Sequence, residues 1–349
     1  MVSQTPDTNT STRMELKVFE SPGKEWDEFA TRHTDLIFYQ SIWSRVLKEG
    51  LGGQPLYFYL KDGGEIVAGL PGVLLSFKIF KILYASIPYG HLIGEKTYYS
   101  AFLQLLEKEF REKGIDQVRL TESPFSDSYS AESFKPISAK CTLLDLRGCD
   151  KEKIWEGYRK NIRRDVRKAQ RNGITVRSGD SIEGVNMFYK LYLASMERNR
   201  AIAKYPLHWF ETLYEIMTKK ELGAILIAEL NQGPIAGVVL IYSPSSTHYF
   251  HNGSKHEFLK FCPNELLIHF ALEEAIEKGN SFFDFMGSDP YDASLIRFKE
   301  KWGSQSMDLN TYVKDYHPFR CRIWEWGKRW AGSRLGSRLL KFIWHWEIL

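Results

Sequence analysis

The chain has 349 residues and a mass of 40.6 kDa, with 43% hydrophobic, 14% aromatic and 26% charged residues. This length suggests about two domains, and the composition excludes disordered, fibrous and repeat-array proteins. The net charge of +4 is unevenly distributed, because residues 158–171 carry +6 and residues 314–349 carry +5. The remainder is acidic, and we expect both basic segments to face anionic partners.

Residues 1–14 are polar and lack the basic start and apolar run of a secretion signal. We predict that they are disordered and that the protein is cytoplasmic. No run of about 18 apolar residues exists that could span a membrane. The four cysteines show no Cys-x-x-Cys spacing and are predicted to be reduced thiols.

A strand–turn–strand pattern occurs twice along the chain. Residues 56–75 and 223–242 each place β-rich runs on both sides of a glycine-containing turn. Each hairpin leads to a helix that ends at a glycine, over residues 101–113 and 264–278, and each helix runs into another strand. The nearly constant offset of about 165 to 168 residues predicts two similar α/β modules packed side by side, rather than one large sheet.

Residues 158–171 form a predicted amphipathic helix. An apolar stripe recurs at helical spacing and consists of Tyr158, Ile162, Val166 and Ala169. Seven cations occupy the other faces, namely Arg159, Lys160, Arg163, Arg164, Arg167, Lys168 and Arg171. Because like charges at this spacing destabilise a helix, we interpret the cations as a binding surface for the phosphates of an RNA backbone. The alternative is a solvated basic helix that only aids solubility.

Five segments of the second half occur in an order known from one family. They are the basic helix with Asn172-Gly173-Ile174-Thr175-Val176, then Tyr249-Phe250-His251-Asn252-Gly253-Ser254, Pro263-Asn264, Phe283-Asp284-Phe285-Met286-Gly287 and Phe298-Lys299-Glu300-Lys301-Trp302-Gly303. In these segments the chain resembles the FemAB family, which includes the aminoacyltransferases that build peptidoglycan side bridges from aminoacyl-tRNA. The second half also resembles the allied BioF-like GNAT acyltransferases.

The resemblance implies an α/β (α+β) fold of two tandem GNAT-like modules, with mixed sheets flanked by helices. The first module would comprise residues 15–148 and 307–349, because the C-terminal stretch returns to the first domain in this family. The second module would comprise residues 149–306 and carry the catalytic site.

GNAT proteins that use acyl-CoA carry a glycine-rich loop at a helix start, where backbone N–H groups hold the pyrophosphate. At the matching place this chain has Lys260-Phe261-Cys262-Pro263-Asn264, which contains no glycine and a proline without an N–H. The sequence therefore disfavours an acyl-CoA site and favours aminoacyl-tRNA as the donor, with no cofactor. A cap of the helix is the alternative role for Asn264.

Acyl transfer to an amine requires a neutral amine and a group that stabilises the tetrahedral oxyanion. The resemblance assigns a catalytic role to the lysine after Phe298, which is Lys299, and we expect this lysine to be partly desolvated. Asp284 and Asp289 lie at the end of a strand and in the following loop, and we predict that one of them orients or deprotonates the acceptor amine. The alternative is that both aspartates only cap a helix or stabilise a turn.

The predicted lining of the acceptor site consists of Arg198, Tyr205, Tyr249, His251 and Phe298. The family often has aromatic residues in the strand that contains Tyr249 and His251. Tyr205 and His251 differ from the residues of peptidoglycan-precursor enzymes, which leaves a lipid-linked or polysaccharide amine open as the acceptor. Because His248 and His251 would point to opposite faces of their strand, we predict no metal site.

The C-terminal segment 314–349 holds five of the ten tryptophans. These are interleaved with basic residues, the tryptophans being Trp324, Trp326, Trp330, Trp344 and Trp346. This combination suits the surface of an anionic membrane, and we expect a peripheral contact at the inner face of the membrane. In the alternative interpretation, the aromatic residues pack this segment onto the first module.

Together, these features predict an acyltransferase of FemAB type that transfers an aminoacyl group from aminoacyl-tRNA to an amine of a cell-envelope, peptidoglycan-like precursor. DNA is not a predicted partner. One alternative is an acyl-CoA-dependent GNAT N-acyltransferase that acts on an amino sugar or an envelope polysaccharide. The second alternative is a non-enzymatic protein whose basic segments bind RNA or membrane.

Overall fold

The computed structural model describes residues 14–78, 80–126, 131 and 133–331. The predicted disordered N-terminus, apart from Met14, lies outside the described residues, and so does the end of the basic C-terminal segment from residue 332 onward. Helices and strands alternate along the described chain, which confirms the predicted mixed α/β fold.

The first half contains two helices, a run of strands, a third helix and another strand. The strands are β1 (Glu15–Phe19), β2 (Gln54–Asp62), β3 (Glu65–Phe77), β4 (Phe80–Tyr84), β5 (Ile93–Gly94) and β6 (Gln117–Thr121). The helices are α1 (Lys24–His33), α2 (Ser41–Leu51) and α3 (Tyr99–Glu112). Gly63 and Gly64 form the tight β2–β3 turn at φ 58° and 91°, where glycine carries no Cβ penalty, and this confirms the predicted hairpin.

The second half repeats this pattern and adds the basic helix and a C-terminal helix. Its strands are β7 (Lys135–Asp145), β8 (Thr175–Ser178), β9 (Gly223–Leu230), β10 (Gly233–Ser243), β11 (Ser246–Ser254), β12 (Phe282–Ser288) and β13 (Gln305–Asp315). Its helices are α4 (Lys151–Gly157), α5 (Lys160–Arg171), α6 (Ile182–Arg198), α7 (Leu207–Ile216), α8 (Pro263–Glu277), α9 (Ala293–Glu300) and α10 (Pro318–Ala331).

The predicted duplication is present in the order of the elements. The series α1, α2, β2, β3, β4, α3, β6 matches the series α6, α7, β9, β10, β11, α8, β12. In both copies the third helix leads to a glycine with positive φ, Gly114 in the first and Gly279 in the second. In both copies the strand before that helix pairs in parallel with the strand after it, as β4 with β6 and β11 with β12.

The two modules share one sheet, which differs from the expected pair of separate sheets. Its strand order is β1-β2-β3-β4-β6-β13-β7-β12-β11-β10-β9-β8, and β5 pairs with β3 off this path. The reason is an exchange of strands between the copies. The strand that follows β6 in the chain, β7, pairs with β12, whereas the strand that follows β12, β13, pairs with β6. β7 and β13 also pair with each other, and this joins the two sheets into one.

Apolar side chains on both faces of the sheet form the core. One cluster combines residues of both modules, and in it the rings of Trp43 on α2 and Trp209 on α7 meet edge to face at 6.3 Å. The other face carries two clusters, one beneath α3 and one beneath α5 and α8. The second of these clusters supports the elements that form the candidate site.

Candidate functional site

Strands β11 and β12 run side by side for only a short distance. Residues 246–248 pair with residues 282–284, and the pairing of these two strands stops there. β11 then shifts its register against β10 at Phe250, and β12 shifts its register against β7 after Asp284. The two strands therefore separate, and a cleft opens between them.

A pocket of about 260 Å³ occupies this cleft, and α8 and α9 form its other walls. Its lining residues are Tyr249, Phe250, Asn252, Asn264, Glu265, Ile268, Phe285, Met286, Gly287, Leu295, Phe298 and Lys299. The walls are mostly apolar with a few polar groups, which is typical of a ligand site. Three predicted site residues, Tyr249, Phe298 and Lys299, thus meet in one pocket.

Lys299 is the cation that α9 contributes to this pocket. The helix begins at Asp292, whose carboxylate caps the first turn. Lys299 is only 6% exposed. Its Nζ donates hydrogen bonds to the carbonyl oxygens of Met286 (2.9 Å) and Gly287 (3.3 Å) and to Oγ of Ser288 (2.7 Å). The lysine is therefore held in one place by the irregular end of β12.

The charge of Lys299 is not neutralised by direct contact. Burial lowers the pKa of its amino group to about 8, while Cys141, Asp284 and Asp292 act on this pKa in the opposite direction. At neutral pH the group is mainly protonated, and its three hydrogen-bond acceptors are uncharged. A fixed cation of this kind can stabilise an oxygen that gains negative charge during a reaction.

Asp284, a predicted amine-orienting residue, is completely buried and does not line the pocket. Its carboxylate accepts hydrogen bonds from the hydroxyl of Tyr89 (2.9 Å) and the backbone N–H of Met286 (2.7 Å), and it bonds to Nδ1 of His248 (3.0 Å). The carboxylate is therefore directed at protein groups and not into this pocket. Asp284 holds the backbone at Met286, and the carbonyl of that residue accepts the hydrogen bond from Lys299.

Asp289, the second candidate carboxylate, also lies away from the pocket lining. It is exposed, and its Oδ1 accepts a hydrogen bond from the backbone N–H of Tyr291 (2.9 Å), as expected for a turn residue. This contact matches the alternative role given above. Among the described residues, no group of three or more His, Cys, Asp and Glu side chains could hold a metal ion.

The carboxylate that does line the pocket is Glu265, which the sequence analysis did not single out. It lies in the first turn of α8, is half-buried, and forms no ion pair with the described residues. Burial raises the pKa of its carboxyl group, partly offset by a hydrogen bond from its own backbone N–H. Its place directly after Pro263-Asn264, within a segment shared with the family, is the signal that could have identified it.

Three predicted acceptor residues lie outside this pocket. Arg198 donates from Nη1 to the carbonyl of Ser254 (2.8 Å). His251 accepts a hydrogen bond from Nε1 of Trp209 (3.1 Å) and packs against Tyr205 at 4.7 Å, and burial lowers its pKa to about 3. His251 is therefore neutral, and with Tyr205 it belongs to an aromatic cluster beside α6 and α7. The structure thus does not bring Arg198, Tyr205 and His251 together with Lys299.

The predicted basic surface lies on α5 and the residue before it. The apolar stripe is buried as predicted, with Tyr158, Ile162, Val166 and Ala169 in the core. The cations remain exposed or half-exposed. Arg164 pairs with Asp165 at 2.9 Å and Arg167 lies over the ring of Trp155. No ion-pair partner of the other five cations is found in the described part of the chain.

This basic surface adjoins the walls of the pocket. The backbone N–H of Arg159 donates to the carbonyl of Lys301 (2.9 Å), which directly follows α9. α5 also packs against α8, and the charges of Asp165 and Lys168 act on Glu265. The cations of α5 therefore stand beside the two helices that form the pocket walls.

Part of the C-terminal segment packs on the first module, and part of it is exposed. Trp324 packs on Phe77 and Phe80, with ring centroids 4.4 Å and 4.9 Å away, as the packing alternative expects. On another side of α10, Phe319 and Trp326 are 76% and 69% exposed. The other three tryptophans of the segment, Trp330, Trp344 and Trp346, lie outside the residues whose side chains the structure describes. None of the helices in the described ranges is long and apolar enough to cross a membrane.

Comparisons with known proteins agree with this architecture. Residues 156–300 match the Acetyltransferase (GNAT) domain family. The solved structure of FemX has a TM-score of 0.65 at 14% identity and covers 88% of this chain and 99% of its own. The C-terminal domain of a protein described as a lysylphosphatidylglycerol synthetase, from Agrobacterium fabrum, reaches 0.59 at 13% identity, covering 88% and 98%. A tandem GNAT protein from the clavulanic acid biosynthesis pathway reaches 0.56 at 9%, covering 87% and 98%.

No curated protein matches this chain in sequence. At 9% to 14% identity, the structural similarities show that the fold is shared. They extend over nearly the whole length of the compared chains. The family match adds that the module with the pocket is a GNAT domain. The resemblance predicted from the sequence is thereby confirmed at the level of the fold: the chain has the fold of tandem GNAT proteins and is similar to FemX, and residues 156–300 match a GNAT acetyltransferase domain.

Proposed function

We propose that this protein transfers an aminoacyl group from aminoacyl-tRNA to an amine of a cell-envelope precursor. The observation that carries the proposal is the position of the exposed cations of α5 beside the pocket that holds Lys299. A polyanionic donor bound along α5 would place its acylated end at the pocket. The two surfaces are connected because α8 packs on α5, Lys301 after α9 bonds to Arg159 before α5, and both α8 and α9 line the pocket.

The reaction needs little beyond positioning and charge stabilisation. The neutral acceptor amine attacks the carbonyl carbon of the aminoacyl ester, a C–N bond forms, and the C–O bond to the ribose breaks. The proton lost by the amine ends on the departing ribose oxygen. After the C–N bond has formed and before the C–O bond breaks, the carbonyl oxygen carries negative charge. The ammonium group of Lys299 stabilises this charge. The neutral carbonyl and hydroxyl acceptors around Lys299 leave its charge available for this role.

The start of α8 supports an RNA donor over acyl-CoA. Proline at position 263 removes one N–H from the first turn, and Cys262 before it has a φ of 62°. The side chains of Asn264 and Glu265 occupy the place where a pyrophosphate would approach, and a carboxylate there repels an anion. The acyl-CoA alternative therefore lacks the backbone cradle that it requires.

The donor can be identified from ligand-induced stabilisation. A ligand at about 100 times its dissociation constant stabilises the folded state by about 2.7 kcal/mol. We expect the melting temperature to rise with aminoacylated tRNA, less with deacylated tRNA, and not with acetyl-CoA or CoA. The rise should weaken steeply as salt increases, because phosphate contacts release counterions. A shift with acetyl-CoA alone, insensitive to salt, would replace this proposal by the acyl-CoA alternative.

We also propose that α10 brings the protein to its acceptor at an anionic membrane surface. Phe319, Ile323 and Trp326 recur at helical spacing and are all exposed, and basic residues follow them in the chain. Replacing Phe319 and Trp326 by serine should remove most of the binding to phosphatidylglycerol vesicles in a sedimentation assay. Leu193→Ser, which changes an exposed apolar residue on α6, is the control. Equal binding by all variants, or none by the wild type, would contradict this role.

A further inference from the structure

One hydrogen-bond acceptor in the pocket has no donor, and the carboxylate beside it has no ionic partner among the described residues. Oδ1 of Asn264 is buried without a hydrogen-bond partner, and Glu265 forms no ion pair in the described part of the chain. Buried polar groups in native proteins are nearly always paired, so the unpaired oxygen of Asn264, next to a carboxylate without a counter-ion, indicates a cationic ligand that donates. These two residues are neighbours, and they lie on the wall formed by α8.

The amide nitrogen of Asn264 contacts a neighbouring side chain, whereas its oxygen contacts none. Its Nδ2 donates to Oγ of Ser254 at 3.4 Å. That same Oγ also accepts from Nη1 of Arg198 at 3.2 Å, and Arg198 can only donate. In the structure the amide nitrogen of Asn264 faces Ser254, and its oxygen is the atom without a partner. Arg198, predicted to touch the acceptor, acts here through Ser254 as a positioning residue.

We infer that Glu265 and Asn264 bind the α-ammonium group of the donor's aminoacyl moiety, so that the pocket selects a donor with a free amine. This inference rests on the proposed function and deepens it, since it names the chemical feature of the acyl group that the site recognises. An α-ammonium group supplies three N–H donors and one positive charge, and it matches a carboxylate and an amide oxygen side by side.

The two charges of the pocket, one positive and one negative, match the two polar groups of an aminoacyl ester. Lys299 supplies a cation for the carbonyl oxygen, and Glu265 supplies an anion for the ammonium group on the adjacent carbon. An acetyl group has the carbonyl but no cation. When it binds, the Glu265 carboxylate loses water without gaining a partner, and such a loss is costly.

The ionised state of Glu265 in the free protein is supported by its position. The first turn of α8 stabilises a carboxylate through the helix dipole. Burial raises the pKa of Glu265 and the neighbouring charge of Asp165 acts in the same direction, whereas Lys301 and Lys168 lower it. A bound ammonium group would lower this pKa further, so donor binding and the ionised carboxylate favour each other.

The inference is tested by blocking the amine of the donor. tRNA is charged in separate reactions with single radiolabelled amino acids, and part of each sample is N-acetylated. Filter binding then compares the charged, N-acetylated and deacylated forms. For the amino acid that gives the strongest binding, we expect the wild type to prefer the free amine by about 10-fold, the range of a hydrogen-bonded charge. In Glu265→Gln this preference should fall below about 3-fold, while binding of deacylated tRNA is unchanged.

Glu257→Gln, which changes an exposed glutamate shortly before α8, is the matched control and should keep the preference. Equal wild-type affinity for free and N-acetylated donors would overturn the ammonium site while leaving the proposed function standing. Absence of any tRNA binding would instead overturn the proposed function. A third result is also decisive. If Glu265→Gln slows transfer from both donors equally and shifts the pH profile, Glu265 acts as a base and not as an ammonium ligand.

Discussion

Replacing Lys299 by methionine is expected to lower the rate of acyl transfer by about 100- to 1,000-fold, the range for loss of one preorganised group that stabilises the oxyanion. Methionine keeps the buried stem and removes only Nζ. The loss is read as the rate at which radiolabelled amino acid leaves tRNA in the presence of a cell-envelope extract. Binding of aminoacyl-tRNA should persist, because the cations of α5 are unchanged. Loss of transfer with retained binding would also exclude the non-enzymatic alternative.

Arg297→Met is the control for this variant, since Arg297 is an exposed cation on the same helix. It should transfer at the wild-type rate. If Lys299→Met also stayed within a few-fold of the wild type, Lys299 would have no part in the reaction. The free energy of unfolding separates this result from misfolding. Lys299→Met relieves the cost of a buried charge but leaves the carbonyl of Met286 without that donor, so the two effects oppose each other.

The same lysine predicts a pH dependence whose sign follows from its pKa. The transfer rate requires the protonated form, so it should decline as pH rises through about 8. In the unfolded chain the group titrates at its ordinary value of 10.5. Between about pH 8 and pH 10.5 the unfolded state binds a proton that the folded state lacks. The free energy of unfolding of the wild type, relative to that of Lys299→Met, should therefore rise with pH in this range. A rate that keeps rising above pH 8 would contradict a protonated Lys299.

Local patterns in the sequence predicted the elements of the fold well. The turn at Gly63 and Gly64, the helices that end before Gly114 and Gly279, and the apolar stripe of α5 each follow from spacing or from a residue with special backbone freedom. The exchange of β7 and β13 could not be predicted in this way. The family resemblance implied that the chain returns to the first module near β13, whereas only the tertiary structure shows that β7 pairs with β12 of the second module.

The site was predicted only in part, for a related reason. Lys299 stood out because a family motif surrounds it. Asp284 lies in the same motif, yet its carboxylate faces Tyr89 of the first module, a contact between residues far apart in the sequence. Glu265 was missed because a glutamate in a first helical turn is commonplace. Its lack of an ionic partner becomes visible only when β11, β12 and α9 are assembled around it.

Neutralising three cations of α5 is expected to remove most of the affinity for tRNA. Lys160, Lys168 and Arg171 are exposed, and the described residues provide none of them with an ion-pair partner. In the triple variant with glutamine at these positions, affinity should fall at least about tenfold, and the slope of log affinity against log salt should decrease by about 2 to 3, or just under one per lost phosphate contact. The measurement is filter binding of aminoacylated tRNA across a salt series.

The helix itself should tolerate these changes, which makes the result interpretable. Cations four residues apart on α5, such as Lys160 and Arg164, repel each other and destabilise an exposed helix by a few tenths of a kcal/mol per pair. The loss of this repulsion opposes the loss of the favourable charges of Lys168 and Arg171 in the last turn of α5, so the melting temperature should change little. A matched triple on and just after α3, with Lys108, Arg111 and Lys113 changed to glutamine, removes the same net charge far from the pocket. Equal losses in both triples would show that net charge alone attracts tRNA, whereas a loss confined to α5 would locate the donor beside Lys299.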